Sequence, residues 1–257
     1  MKAGSLGRIG QSTLNLVGGM GAFAHLGFQT TLYLLRGSLE LRSLIVQIEA
    51  IGYSSLPLVV ITVTFAGMVM AIYTAGQLQD TGTVNLLGGL IAVSIVRELG
   101  PVLTGIVAAA QAGSAIAAEV GTMKVTEQID ALRSLATDPV EYLVVPRYGA
   151  ALLSLPLLTV VADLFGVLGG LIVSLAGYEV APGIYLDSVR VWTKMGYFTS
   201  GLVKAVVFGA IIALMGSYQG FRTGQGSAAV GHSTTRSVVM CVLLIYVADF
   251  FLTWVFT

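Results

Sequence analysis

The sequence predicts an all-α polytopic membrane protein with an N-terminal interfacial region, five transmembrane helices and a short helix between two of them. Three observations carry this. The chain has 257 residues, of which 56% are hydrophobic and only 10% charged, against about 25% charged in soluble domains. No charged residue occurs between Glu49 and Asp80, a stretch longer than the roughly 20 apolar residues a helix needs to cross the hydrocarbon. Thirty-two glycines are present, and small residues let membrane helices approach closely. One soluble core could not hide this much apolar surface.

Residues 1–50 mix apolar side chains with Arg8, Arg36, Glu40, Arg42 and Glu49. Leu32, Leu35, Leu39, Arg42 and Ile45 recur at helical spacing, the pattern of helices lying in the membrane interface. A short, poorly inserted span near 14–35 is the alternative. The first residues lack a compact apolar core and a cleavage site, so they are not read as a signal peptide. Residues 51–257 then hold five expected spans, near 54–76, 85–117, 147–177, 197–219 and 237–257. The second and third exceed the minimum length and must tilt, kink or project.

Lys and Arg concentrate in the N-terminal region, in 118–147 and in 220–236. They are absent from 77–84 and from the C-terminus, and only Arg190 and Lys194 run against the bias. Positive charge marks the cytoplasmic side. The N-terminus is therefore expected in the cytoplasm and the C-terminus opposite, as five spans require.

Catalytic signatures are missing. The chain has no G-x-x-x-x-G-K-[ST] loop, no H-E-x-x-H and no G-x-S-x-G. It has one cysteine, Cys241, and two distant histidines, His25 and His232, a poor basis for a metal site. Net charge is zero, so no basic field points to nucleic acid. An enzyme is the weaker class, and no cofactor is expected in this chain.

Two stretches stand out. Residues 117–139, AAEVGTMKVTEQIDALRSLATDP, join the second and third spans. Gly121 is expected to end the preceding helix and Asp138-Pro139 to stop the next. Between them Ile129, Leu132 and Ala136 form an apolar stripe, with Glu127, Asp130 and Arg133 elsewhere on the surface. Such a helix either packs on the bilayer or docks a cytoplasmic partner.

The second stretch is Arg97-Glu98, with Pro101 close behind, inside the second span. An uncompensated charge at mid-membrane costs about 2.5–3.5 kcal/mol. Adjacent helical positions diverge too far to pair well. The opposite charges on offer are Asp163, Lys204 and Asp249. Pro101 favours a kink near residue 97. One reading is an interhelical lock from Arg97 to Asp163 or Asp249. The other has Arg97 and Glu98 lining a central cavity and meeting a lipid headgroup, whose phosphate suits the Arg fork. Lys204, near a span end, is expected to snorkel. Met68, Val69, Met70, Tyr73 and Leu78 are candidates for an apolar cavity wall. The charged set also admits an ion-coupled secondary transporter working without an ATPase, although no internal repeat supports it.

RELGPVLTG (97–105) followed by AAEVGTMKVTEQIDALRSL (117–135), DPVEYLVVPR (138–147), VGHSTTRSVV (230–239) and DFFLT (249–253) closely resembles the MlaE permease family. That family includes the lipid permease of the chloroplast trigalactosyldiacylglycerol system. The similarity covers roughly residues 45–257. It implies the membrane subunit of an ABC-type lipid transporter moving phospholipid or a related polar lipid. It also implies a homodimer, a separate ATPase subunit that binds the ATP, and an MCE-domain protein on the far side. Residues 119–136 then correspond to the coupling helix, with Glu119, Lys124, Glu127, Gln128, Asp130 and Arg133 as expected ATPase contacts. A bacterial inner membrane is the expected location, with the plastid inner envelope as the alternative. Gln111 and His232 stand where many members of the family carry Arg.

Overall fold

The computed structural model describes residues 5–37, 39–178 and 180–256. The described residues contain helices and connecting turns and no strand. The helices are α1 (Ser5–Leu35), α2 (Leu41–Ile48), α3 (Ser54–Asp80), α4 (Leu87–Ser94), α5 (Gly100–Ala108), α6 (Ser114–Val125), α7 (Gln128–Ser134), α8 (Val145–Tyr178), α9 (Pro182–Trp192), α10 (Met195–Phe221) and α11 (Ser227–Phe256).

Four π-helical turns, at Glu49–Tyr53, Ile95–Leu99, Ala109–Gly113 and Val140–Val144, splice these into longer runs. Five runs are long and apolar enough to cross a membrane: Leu41–Asp80, Val84–Val125, Val140–Tyr178, Met195–Phe221 and Ser227–Phe256. The count matches the sequence expectation, but all five are longer than expected, and in the first three π turns join neighbouring helical segments. The cause is local. A π turn absorbs one extra residue without ending a helix, so α2 continues into α3 and α4 into α6. Residues 41–50, expected among the interfacial segments, belong to the first of these runs. Helix α1 is not among the five.

The connections alternate the direction of the five runs. One end of the bundle, the lower end here, carries α7 and the 222–226 turn. The upper end carries α9, which lies against α4.

Close crossings hold the bundle. Gly67 on α3 meets Gly166 on α8, where a Cβ on Gly67 would lie 2.0 Å from the Gly166 carbonyl oxygen. On the same seam, a Cβ on Gly169 would lie 2.3 Å from the Thr64 carbonyl oxygen. Between hydrocarbon-solvated helices, association rests on such contact rather than on expulsion of water.

The lower end departs from the sequence expectation at two points. Gly121 does not end a helix; α6 runs through it to Val125. Its small size serves packing, because a Cβ there would stand 2.7 Å from Thr223 Oγ1. Likewise Asp138-Pro139 does not stop a helix but starts one. The Asp138 carboxylate accepts the Val140 N–H at 2.9 Å, the N-cap arrangement, and Pro139 takes the first helical position, where its missing N–H costs nothing.

Replacing Gly67 by Ala should lower stability by about 1–3 kcal/mol, because the colliding atom is backbone. A thermal midpoint in detergent that falls by several degrees for Gly67→Ala, but not for Gly76→Ala, whose Cβ would meet nothing within 4 Å, checks this.

Candidate functional site

Two clusters of polar residues are candidates, one inside the bundle and one at its lower end. The inner cluster centres on Lys204. It stands about nine residues, or ~13 Å, below the upper end of α10, and its side chain is 1% exposed. The sequence reading had it snorkelling to a span end. Instead its Nζ forms an ion pair with Glu98 and another, at 2.9 Å, with Asp249 Oδ1. It also donates to Thr253 Oγ1 at 2.7 Å and to the Arg97 carbonyl at 3.3 Å.

That last contact follows from the sequence. Pro101 has no N–H to offer the carbonyl four residues earlier, which is that of Arg97. The π turn Ile95–Leu99 falls at the same place. The Lys204 ammonium reaches a backbone oxygen that an ordinary helix would occupy internally.

Arg97 completes the cluster. Its Nε lies 3.5 Å from Glu98 Oε1, and its guanidinium sits 5.6 Å from the Tyr197 ring centroid. The Arg97–Glu98 neighbours do approach each other, helped by the altered spacing of the π turn. The lock expected from Arg97 to Asp163 or Asp249 is replaced by one from Lys204 to Glu98 and Asp249. Three runs are joined by it: Glu98 from the second, Lys204 from the fourth, Asp249 and Thr253 from the fifth. Two cations meet two carboxylates, so the charges balance, as burial in a low dielectric demands. Arg97 and Glu98 keep about a quarter to a third of their side-chain surface exposed, 26% and 33%, so the cluster has an open side.

Asp163 stands apart. It is 5% exposed, lies against Gly100, and among the described residues it forms no ion pair. Met68 and Met70 are half-buried on α3, whereas Val69 and Tyr73 are exposed, Tyr73 at 73%. These four belong to a bare apolar surface rather than to the charged cluster.

The lower cluster surrounds α7. The expected helix over 119–136 is shorter, Gln128–Ser134. It is set off from α6 by Glu127 at φ 60° and closed by Ala136 at φ 57°. Glu119 and Lys124 therefore sit on the end of α6. Arg147, buried, pairs with Glu119 at 2.8 Å and donates to the Leu143 carbonyl at 2.6 Å. Lys124 and Arg133 both approach Asp130, at 3.5 and 2.9 Å. Ile129, 1% exposed, anchors α7 to the bundle. Glu127, Gln128, Asp130, Arg133 and Leu135 are exposed. The arrangement is a small helix held at one face and free at the other.

Sequence reasoning missed Tyr33. Its hydroxyl donates to Asp138 Oδ2 at 2.6 Å, tying α1 to the residue that caps the third span. Gln111, one of the two positions where the resemblance leads one to expect Arg, donates to the Ser54 carbonyl at 2.7 Å. His232, the other, lines a cavity of about 680 Å³ with Arg222 and Arg236.

An all-α bundle with five membrane-length helices, an inward ionic cluster and a helix projecting between two spans defines a polytopic helical membrane protein. The family described as "Permease MlaE" matches residues 44–255. The chain belongs to the MlaE permease family. A probable ABC transporter permease protein of Synechocystis is 43% identical over 226 residues, covering 88% of this chain and 86% of the relative. A probable ABC transporter permease protein of Rickettsia typhi is 38% identical, covering 95% of each. The Arabidopsis thaliana protein TRIGALACTOSYLDIACYLGLYCEROL 1, chloroplastic, is 39% identical over 87% of this chain and 64% of its own length.

Two outcomes are expected. Lys204→Met leaves Glu98 and Asp249 without their shared cation and should cost about 3–5 kcal/mol. Adding Glu98→Gln and Asp249→Asn should recover much of the loss, read as thermal unfolding in detergent. The hydrogen bond to Asp138, then that carboxylate's charge, holds the Tyr33 phenol above its usual 10.0. The contact is therefore intact below that value and fails as pH rises through the raised one, when two anions would face each other. Tyr33→Phe should open the α1–α2 turn to trypsin at Arg36 at neutral pH, while wild type opens only in strong alkali, compared by hydrogen exchange on the same segment.

Proposed function

We propose that this chain is the membrane subunit of an ABC-type transporter that moves phospholipid or a related polar lipid between membranes. The observation that carries the reading is the family match over residues 44–255, together with relatives named ABC transporter permeases across most of their length. The similarity to TRIGALACTOSYLDIACYLGLYCEROL 1 favours a lipid cargo.

In this reading ATP is bound and hydrolysed by a separate ATPase subunit. Helix α7 is the docking element. Its buried Ile129 transmits force to the bundle, and Glu127, Gln128, Asp130 and Arg133 offer the ATPase a polar surface. Glu119 and Lys124, on α6, flank it. The Glu119–Arg147 pair bridges the second and third spans behind α7, so a push on α7 is felt by both.

Two copies of the chain pair, and the open side of the ionic cluster faces their shared cavity. Arg97 there presents its guanidinium to a lipid phosphate, while Glu98, Lys204 and Asp249 switch partners between closed and open states. A transported lipid shifts the balance only through different contacts in the two states. Met68, Met70 and Tyr73 line the acyl part of the path. An MCE-domain protein receives or delivers lipid at the upper end. The lower end, rich in Lys and Arg, faces the cytoplasm of a bacterial inner membrane, or the corresponding side of a plastid envelope.

The test is a native pull-down of the tagged chain in mild detergent, with co-purifying proteins identified by mass spectrometry. An ATPase and an MCE-domain protein are expected with the wild type, and the ATPase should be lost in Glu127→Lys/Asp130→Lys. A chain that emerges alone, and that moves lipid or solute in liposomes under an ion gradient without ATP, would overturn this reading in favour of an ion-coupled transporter. With the complex intact, Arg97→Ala should abolish most lipid transfer without loss of either partner.

A further inference from the structure

The lower half of the first span carries a feature that the transport cycle does not use. Glu49 opens the π turn Glu49–Tyr53 and is exposed. Its surroundings are apolar and also exposed: Ile45 and Val46 before it, Tyr53 and Leu58 after it, and Leu157 on the neighbouring α8. Among the described residues it forms no ion pair. Beside it lies a groove of about 490 Å³ between the first and third spans, lined by Ile45, Gly52, Leu56, Ser154, Leu157 and Val161, with Glu49 in its lower part. The volume is that of a small-molecule site, and the lining is almost wholly hydrocarbon.

A second, independent observation sits in its floor. Ser154 is 2% exposed, and among the described residues its Oγ has no hydrogen-bond partner. Several helical hydroxyls of this chain donate to the carbonyl four residues back, as Thr159 does to Leu155 and Ser174 does to Gly170. Ser154 does not. Its Oγ faces Gly52, 3.1 Å from where a Cβ would stand. A buried hydroxyl with no partner calls for an acceptor, and the groove is where one can enter. Gly52, inside the π turn, keeps that entrance open.

We propose that this groove binds one glycerolipid with a primary ammonium headgroup, seated from the membrane on the flank of each protomer. The groups are ordered as such a molecule requires. Glu49, at the lower end, pairs with the ammonium. Ser154 Oγ–H, on the floor, donates to an ester carbonyl. Leu56, Leu157 and Val161 follow upward along the span and hold one acyl chain. From Ser154 to Val161 the rise is about 10 Å, which places that chain in the hydrocarbon of the same leaflet. The charge selects the headgroup: an anionic lipid would face the Glu49 carboxylate, whereas an ammonium satisfies it. Nothing here depends on the ATPase-driven reading, since the site lies on the outer flank of the first and third spans and away from Lys204.

The experiment is native mass spectrometry of the purified full chain after exchange into nanodiscs holding equal phosphatidylethanolamine and phosphatidylglycerol. The wild type should retain phosphatidylethanolamine over phosphatidylglycerol by about tenfold, the ratio that one charge-assisted hydrogen bond supplies. Glu49→Gln should bring the ratio close to one at unchanged thermal midpoint. Leu157→Trp, which fills the groove, should remove one bound lipid per protomer whatever its headgroup. Equal retention of the two lipids by the wild type would overturn the proposal, and so would an undiminished preference in Glu49→Gln. A Leu157→Trp chain that loses its pairing with a second copy, with no change in bound lipid, would assign the groove to protein contact and overturn it equally.

Discussion

A lysine ammonium withdrawn from water inside a membrane protein has to be neutralised in place, and the arrangement of the inner helices follows from how Lys204 meets that demand. Its Nζ is held by Glu98, Asp249, Thr253 and the Arg97 carbonyl. Those partners come from two other runs, so neutralising one charge fixes the relative height and rotation of the second, fourth and fifth spans. Hydrocarbon-facing contacts among Leu, Val and Ile cannot do this, because lipid tails offer the same contacts at any register. The ionic cluster therefore supplies specificity where apolar packing supplies only cohesion.

The π turns belong to the same account. Three of the four lie in the first two runs, and each one re-aims the residues around it. At Ile95–Leu99 the re-aiming turns Glu98 toward Lys204 and leaves the Arg97 carbonyl accessible, with Pro101 removing its ordinary donor. At Ala109–Gly113 it presents Gln111 to the Ser54 carbonyl. At Glu49–Tyr53 it places Glu49 and Gly52 in the wall of one groove. Local departures from α geometry are costly enough that they persist where the surroundings enforce them. At Ile95–Leu99 and Ala109–Gly113 polar side chains in an apolar bundle do the enforcing.

The spans themselves were legible in the sequence because their signal is length and composition, which bilayer thickness fixes. The four charged residues of the inner cluster were legible too, since a charge inside an apolar run has few explanations. Their pairing was not. Lys204 is expected at a span end because a lysine near the start of an apolar run commonly snorkels, and nothing in the sequence places Glu98 and Asp249 beside it. Counting inward from Met195 puts the ammonium too deep to reach the surface, and Glu98 and Asp249 then fall at matching depth on their own helices. Asp163 is equally suited to pair and instead lies against Gly100, with no ion pair among the described residues. At the lower end, Gly121 and Pro139 were read by their commonest uses, helix stop and helix breaker. Both are also used to let two helices touch and to begin a helix, and only the neighbours, Thr223 for one and the Asp138 cap for the other, decide between the uses.

Rigidity and exposure are divided along the bundle in a way that bears on function. The α3–α8 seam is locked by backbone against backbone at Gly67 and Gly166, and near its upper end the Tyr178 hydroxyl adds a hydrogen bond to the Ile72 carbonyl at 3.0 Å. The contacts of Lys204 are different in kind. Each of its partners is charged or polar and could be traded for another, and the open side at Arg97 and Glu98 gives a second set of groups access to them. A bundle that moves one group of helices against another should part where interactions can be exchanged rather than lost. In this fold that boundary runs between α10, α11 and the second span, not between α3 and α8. The helix α7, tied to the bundle by Ile129, hangs from the lower end of the second span, the same run that carries Glu98. A displacement applied at α7 therefore acts on the element whose charge pairing holds the cluster together.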